Sequence, residues 1–319
     1  MPEPPPAGDL LALALDIAAE AAGLIAARRH DIGAVATKST LTDMVTEVDR
    51  AAEALIVGRI LAARPGDGLI GEEGSERAGE SVLRWVIDPL DGTTNYLYGI
   101  PAYAVSIAVE DPLGALVGVV HDAARGEVFA ATRGGGATLD GRAIHTSSPE
   151  SIGAALVGTG FGYAAPRRAF QAAVLAGLLP GVRDIRRAGS AALDLCAVAC
   201  GRLDGYYEQG LQPWDHSAGA LIVREAGGRT AWLDRTADGR PARSSTTNAP
   251  PATSGLILTA LSGAIACGTD DQRIVDTAAL RATGASLDAP RGADTARHAG
   301  AMQGVTESEL AKRSKRHMS

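Results

Sequence analysis

Cysteine is scarce. Only three residues, Cys196, Cys200 and Cys267, occur in 319, and no C-x-x-C spacing joins them, so neither a disulfide framework nor a zinc site is indicated. Cys196 and Cys200 stand four apart in an apolar helical pattern, which reads as two buried free thiols. Positive charge is also in deficit: 30 Lys and Arg against 37 Asp and Glu leave a net charge of −7 and a pI near 5.4. That balance argues against a general binder of nucleic-acid backbones, whose affinity rests on clustered cations. No segment gives the roughly 18 uninterrupted apolar residues that spanning a bilayer needs, and the opening MPEPPPAGDL has no basic region ahead of an apolar run. These absences predict a cytoplasmic protein with no membrane contact. A phosphate loop G-x-x-x-x-G-K-[ST] and a nucleophile elbow G-x-S-x-G are both missing, which removes P-loop nucleotide chemistry and serine hydrolysis of that type. No internal repeat is visible.

What is present is ample core material, 46% hydrophobic residues, arranged as helices and strands. Residues 9–30 predict a helix capped by Asp9, and a second runs from about Thr46 to Arg64. The stretch KSTLTDMVTEVD between them reads as a polar, turn-rich connection. GLIGEEG predicts a short strand ending on two glutamates, and 83–88 the next. Alternating segments at 103–109, 115–121 and 126–131 predict an antiparallel meander with turns at Asp111-Pro112 and Arg125-Gly126, and RGGGAT (133–138) a hairpin turn. Strands at 155–161 and 203–208 and helices at 166–178 and 190–201 follow. A helix then starts near Trp214-Asp215 and stops at Gly227-Gly228, before a polar loop at 234–254 and a last strand GLILTA. No Trp, Tyr or Phe occurs after Trp232, so residues 262–319 are expected to be a mobile tail. The expected catalytic domain is 1–261, with an N-terminal part of about 1–150 and a C-terminal part of about 151–261.

The stretch WVIDPLDGTTNYLYGIP (85–101) carries the chemistry. Its apolar strand is expected to end at or near Asp88, because Pro89 and Gly92 cannot continue it. Asp88 and Asp91 can aim two carboxylates at one point, where a cation is needed between them. Hard oxygen ligands suggest Mg²⁺. Gly92-Thr93-Thr94 could open a short helix whose free N–H groups attract phosphate. An acidic surface turn is the plain alternative. Further carboxylates, Asp49, Glu72 and Asp215, stand at other element ends, and one pocket could hold them all.

From Lys38 to about Gly228 the chain resembles the inositol monophosphatase family. DMVTEVD (43–49), GEEG (71–74), DPLDGTTN (88–95), GSAALDL (189–195) and YYEQGLQPWDHSAG (206–219) carry the resemblance, in the family's order and spacing. It implies an α+β fold, an alternating αβαβα layered sandwich, in a homodimer. It implies a first Mg²⁺ held by Glu72, Asp88 and the Leu90 carbonyl, and a second held by Asp88, Asp91 and Asp215. A weaker third site near Asp49 and Glu72 is also implied. Gly92, Thr93 and Thr94 would cradle phosphate, and Ala191 and Glu208 would meet the hydroxyls of a small phosphorylated polyol. Asp49, Glu72 and Thr93 would be catalytic, orienting the attacking water. Plain alternatives remain: Asp49 completing a capping box with Thr46, Asp215 capping its helix, Glu208 as a solvated strand end. His216 is read as a surface or supporting histidine.

The expected activity is Mg²⁺-dependent hydrolysis of inositol monophosphate by activated water, without a phosphoenzyme. The D-x-D-G-T of haloacid-dehalogenase phosphatases needs an Asp where Pro89 stands. Histidinol phosphate and fructose 1,6-bisphosphate are alternative substrates. A non-enzymatic regulator binding the transcription machinery is the alternative of another class.

Overall fold

The structure is a computed structural model describing residues 6–29, 35–37, 44–232, 234–235, 241–242 and 256–260. The expected tail, Cys267 and most of the 234–254 loop lie outside these residues. Two helices come first, α1 (Ala7–Ala27) and α2 (Glu47–Ala63), with a hairpin between them. That hairpin, β1 (Val35–Thr37) against β2 (Met44–Thr46), occupies the stretch expected to be an irregular connection. α1 is long and apolar enough to cross a membrane by length and composition, but Leu10, Ala14, Ile17, Ala21 and Ile25 are spent on the core. Burying each large side chain there is worth roughly 1.5–3 kcal/mol. Asp9 does not cap α1. Pro6 holds the N-cap and Asp9 lies in the first turn, where a carboxylate still meets the positive end of the helix.

The larger sheet follows the chain as β3 (Gly68–Gly71), β4 (Glu76–Arg77), β5 (Arg84–Asp91), β6 (Ala104–Asp111), β7 (Gly114–Asp122), β8 (Glu127–Thr132), β9 (Gly136–Leu139) and β10 (Arg142–Ala143). Its spatial order is β10-β9-β8-β7-β6-β5-β3-β4. The expected meander is present, with both of its turns. Only β3 and β5 pair in parallel, Gly71 opposite Ile87. A short helix α3 (Thr93–Tyr98) follows β5.

The second sheet is built from β11 (Leu156–Thr159), β12 (Asp184–Arg186), β13 (Gly205–Gln209), β14 (Arg229–Trp232) and, after the small hairpin β15 (Asp234–Arg235) and β16 (Pro241–Ala242), β17 (Leu256–Ala260), in the order β12-β11-β13-β17-β14. Its helices are α4 (Ala165–Leu178), α5 (Ala191–Ala199) and α6 (Pro213–Glu225).

Alternation along the strands sets the layers. Trp85 and Ile87 of β5 face α1 and α2, while Val86 between them faces α5 and α6. On β13, Tyr206 joins the α5–α6 layer and its neighbour Tyr207 the small core that includes Val174 and Leu178 of α4. The result is the expected αβαβα sandwich, with α5 and α6 between the sheets. Cys196 is buried in that middle layer and Cys200 is half-buried, both free.

One expectation about β5 is corrected. The strand does not end near Asp88; it runs on to Asp91. The pairing with β6 shifts register between Asp88 and Asp91, and Pro89, with no N–H to give, sits inside that irregularity, where a strand tolerates it.

Candidate active site

Parallel pairing delivers the first two carboxylates. Because Gly71 and Ile87 are in register and Glu72 N–H donates to Ile87 O at 3.1 Å, Glu72 just past the end of β3 and Asp88 within β5 stand side by side. Glu72 is fixed by a residue the sequence reading passed over. Glu53 of α2, 3% exposed, accepts the N–H of Glu73 (2.9 Å) and of Ser75 (3.0 Å), holding the turn after β3. Gly71 is required there, since a Cβ would lie 2.5 Å from Glu53 Oε2. The available signal was a carboxylate four residues after Asp49, one helical turn along α2.

Asp49 serves two ends. Thr46 Oγ1 accepts from Val48 N–H (3.1 Å) and Asp49 N–H (3.3 Å), while the Asp49 carboxylate accepts from Thr46 N–H (2.9 Å), a complete capping box. Its other oxygen lies 2.9 Å from Thr93 Oγ1, a potential donor that is also 3.1 Å from the Leu90 carbonyl.

At the irregularity in β5, Asp88 accepts from Leu90 N–H at 3.0 Å. Asp91 accepts from the Ser190 hydroxyl (2.6 Å) and Ala192 N–H (2.7 Å), fastening the start of α5 to the strand. Asp215 enters from the first turn of α6 and accepts from Gln212 N–H at 2.6 Å. Gly92 has φ +93, and a Cβ there would lie 2.7 Å from Ala102 O, so the turn into α3 needs glycine. Asn95 ties α3 down by donating to Ala102 O (2.7 Å) and Ala188 O (2.8 Å).

These groups meet around one cavity of about 330 Å³ between the two sheets' ends. Glu72, Asp88, Leu90, Asp91, Gly92, Thr93, Ala191, Glu208 and Asp215 all line it. Asp49 stands behind Thr93, and Thr94 is off the wall. Asp194, Arg167 and Arg187 line it too and were missed: β12, whose end places Arg187, was not expected from the sequence, and Arg167 and Asp194 stood inside segments read only as helices.

Burial governs the electrostatics of the site, and repulsion among its carboxylates adds to it. Burial, then the carboxylates of Glu72, Asp91 and Asp215, push Asp88 well above the carboxylate range, and a hydrogen bond with Glu72 adds to this. Burial pushes Asp91 up to about 7 against the pull of Ser190 and Ala192, with Glu72 and Glu208 adding. Asp215 is raised by burial and by Asp91 and Glu72. At the other end burial raises Glu208, although Tyr206 donates to it and Arg187 and Arg167 face it. Asp194 is pushed up to about 8 by burial and by Asp91 and Glu208. His216 is pushed down to about 4 by burial and by Arg224, so it is neutral and no general acid at neutral pH.

The donor set fits a hard divalent cation: oxygens only, from two neighbouring β-strands and one helix start, with too much negative charge to ionise unassisted. Among the described residues no three of these side chains already close at ligand distance. Asp88, Asp91 and Asp215 instead rest on the N–H and O–H donors just given.

Comparison with known proteins follows the same lines. A family profile described as the inositol monophosphatase family matches residues 8–266. Inositol-1-monophosphatase of Mycobacterium leprae is 46% identical over 237 residues, covering 68% of this chain and 81% of that protein. The Nus factor SuhB of Escherichia coli K12 is 45% identical over 222 residues, covering 69% and 83%. Among solved structures, the extragenic suppressor protein SuhB of Bartonella henselae superposes with a TM-score of 0.72 at 32% identity, covering 85% of this chain and 98% of its own. The inositol monophosphatase of Thermotoga maritima gives 0.73 at 28% identity, covering 87% and 99%.

Proposed function

The chain belongs to the inositol monophosphatase family, and from that premise we propose that it is a Mg²⁺-dependent phosphomonoesterase whose leading substrate is inositol monophosphate. The observation that carries the reading is the convergence of Glu72, Asp88, Asp91 and Asp215 on one cavity that also holds Thr93 and Glu208. Glu72, Asp88 and the Leu90 carbonyl would hold a first Mg²⁺; Asp88, Asp91 and Asp215 a second; Asp49 and Glu72 lie toward a weaker third. Bound there, Mg²⁺ would acidify water and offset the charge of the phosphoryl group and the leaving oxygen.

The chain's own residues do the rest. When Thr93 Oγ1 donates its hydrogen bond to Asp49 Oδ1, its lone pairs are left to accept from a water in the cavity. As that water attacks phosphorus it passes a proton to Thr93 Oγ1, and Thr93 hands its own to Asp49 Oδ1. The N–H groups of Gly92, Thr93 and Thr94 cradle the phosphate. Ala191 by its backbone and Glu208 by its carboxylate orient the hydroxyls of the substrate. We place the protein in the cytoplasm as a homodimer; Tyr98 at the end of α3 and Ile100 just after it are exposed apolar surface suited to a partner copy.

The test is phosphate release from inositol 1-phosphate, histidinol phosphate and fructose 1,6-bisphosphate, with and without Mg²⁺. Mg²⁺-dependent release with inositol 1-phosphate preferred is expected. The similarity to a protein named as a Nus factor favours a second reading, a regulator binding the transcription machinery. Silence across the panel would select it.

A further inference from the structure

Resting on the phosphatase reading, one buried carboxyl group in the cavity has no task in the scheme above. Asp194, in the first turn of α5, is 4% exposed yet lines the cavity. Among the described residues its side chain accepts no hydrogen bond and forms no ion pair. A buried carboxyl group without a partner is costly, and a cavity-facing one is satisfied when a ligand supplies the partner.

Its position says which part of a ligand. Asp194 Oδ1 lies over Gly158 of β11, 3.6 Å from where a Cβ would stand, and Gly158 is paired with Tyr206 of β13. Tyr206 donates to Glu208. Glu208 in turn occupies the space over Gly160, where a Cβ would fall 1.9 Å from its Oε2. Asp194 and Glu208 therefore flank Tyr206 on the cavity wall. Arg187 faces both carboxyl groups, its guanidinium lying against Gly189, where a Cβ would come within 2.4 Å of a terminal nitrogen. Two acids opposed by two arginines on the same wall, Arg187 facing both and Arg167 facing Glu208, give a pocket end whose charge is largely offset. Such an end suits neutral hydroxyls better than an ammonium group, because an ammonium would bring a cation beside Arg187.

We propose that Asp194 is a specificity-determining residue whose carboxyl group binds one hydroxyl of a polyol phosphate while Glu208 binds another. Substrates with two suitably placed hydroxyls are thereby selected over aminoalkyl and aryl phosphates.

Asp194→Asn and Asp194→Ser are compared with wild type on inositol 1-phosphate and on 4-nitrophenyl phosphate, which has no hydroxyls on its body. Expected is a loss of about 10- to 100-fold in kcat/KM on inositol 1-phosphate, mainly through KM, with 4-nitrophenyl phosphate unaffected. Equal losses on both, or none on either, overturn the proposal. Should neither variant fold, singly deoxygenated inositol phosphates on the wild type decide: two separate costly positions are expected, and one alone overturns it. A wild type inactive on every ester removes the phosphatase reading instead. Titration of myo-inositol followed by NMR then judges Asp194 by itself, with binding lost in Asp194→Asn expected and equal or absent binding overturning it.

Discussion

Asp91 binds more than charge. Its two accepted hydrogen bonds, from Ser190 and Ala192, tie β5 to α5, so the residue that would hold a cation also fixes the wall meeting the substrate. Asp88 accepts from Leu90 N–H and shares a hydrogen bond with Glu72. Replacing either by Asn preserves shape and removes a negative charge from a repulsive cluster. Asp88→Asn and Asp91→Asn are therefore expected to lose more than about 100-fold in activity, above the range seen for supporting residues of metal sites. Melting temperatures without Mg²⁺ should be unchanged or higher. Phosphate release paired with thermal melts checks both halves; substantial Mg²⁺-dependent turnover in either variant would overturn the ligand assignment. At this scale Asp88, Asp91 and Asp215 were legible as acids at turns and element ends. Asp194 was not, because a carboxylate within an apolar helix shows its exposure to a cavity only after the chain has folded.

At the scale of elements, the turn after β3 is held by α2. Glu53 accepts two N–H groups of that turn and needs Gly71 to come close enough. Gly71→Ala should force Glu53 aside and cost about 1–3 kcal/mol, read as a lower urea midpoint with an unchanged slope. Displacement of Glu72 should also raise the Mg²⁺ concentration needed for half-maximal activity. An unchanged Mg²⁺ requirement would mean that Glu72 is positioned without Glu53. The β5 strand teaches the same lesson. Pro89 and Gly92 predict an end near Asp88, but pairing with β6 carries the strand through an irregularity to Asp91. Cross-strand partners outweigh a local breaker when it can sit where no ladder bond is due.

For the whole molecule, protons and cations compete for one cluster. Burial raises Asp91 to about 7 from an ordinary 3.8, and Asp88 and Asp215 rise with it. A carboxyl group raised on folding favours the native state while protonated, and that contribution is lost as pH climbs from about 4 toward 7. Metal-free protein should therefore melt lower at pH 8 than at pH 5.5. Mg²⁺, which binds the ionised forms, should raise the melting temperature more at pH 8. Scanning fluorimetry in EDTA and in Mg²⁺ at both pH values tests this, and a larger Mg²⁺ shift at pH 5.5 would contradict it. The sequence by itself determined most element positions and the acids at turns, because periodicity, turn residues and capping are local properties of the chain, and its motifs carried the family resemblance that implied the layered α+β class. Only the tertiary structure decided that β3 and β5 lie parallel, that Glu53 stands under Glu72, and that Asp194 and Arg187 face the cavity. Those facts depend on contacts between distant segments, which no local pattern encodes.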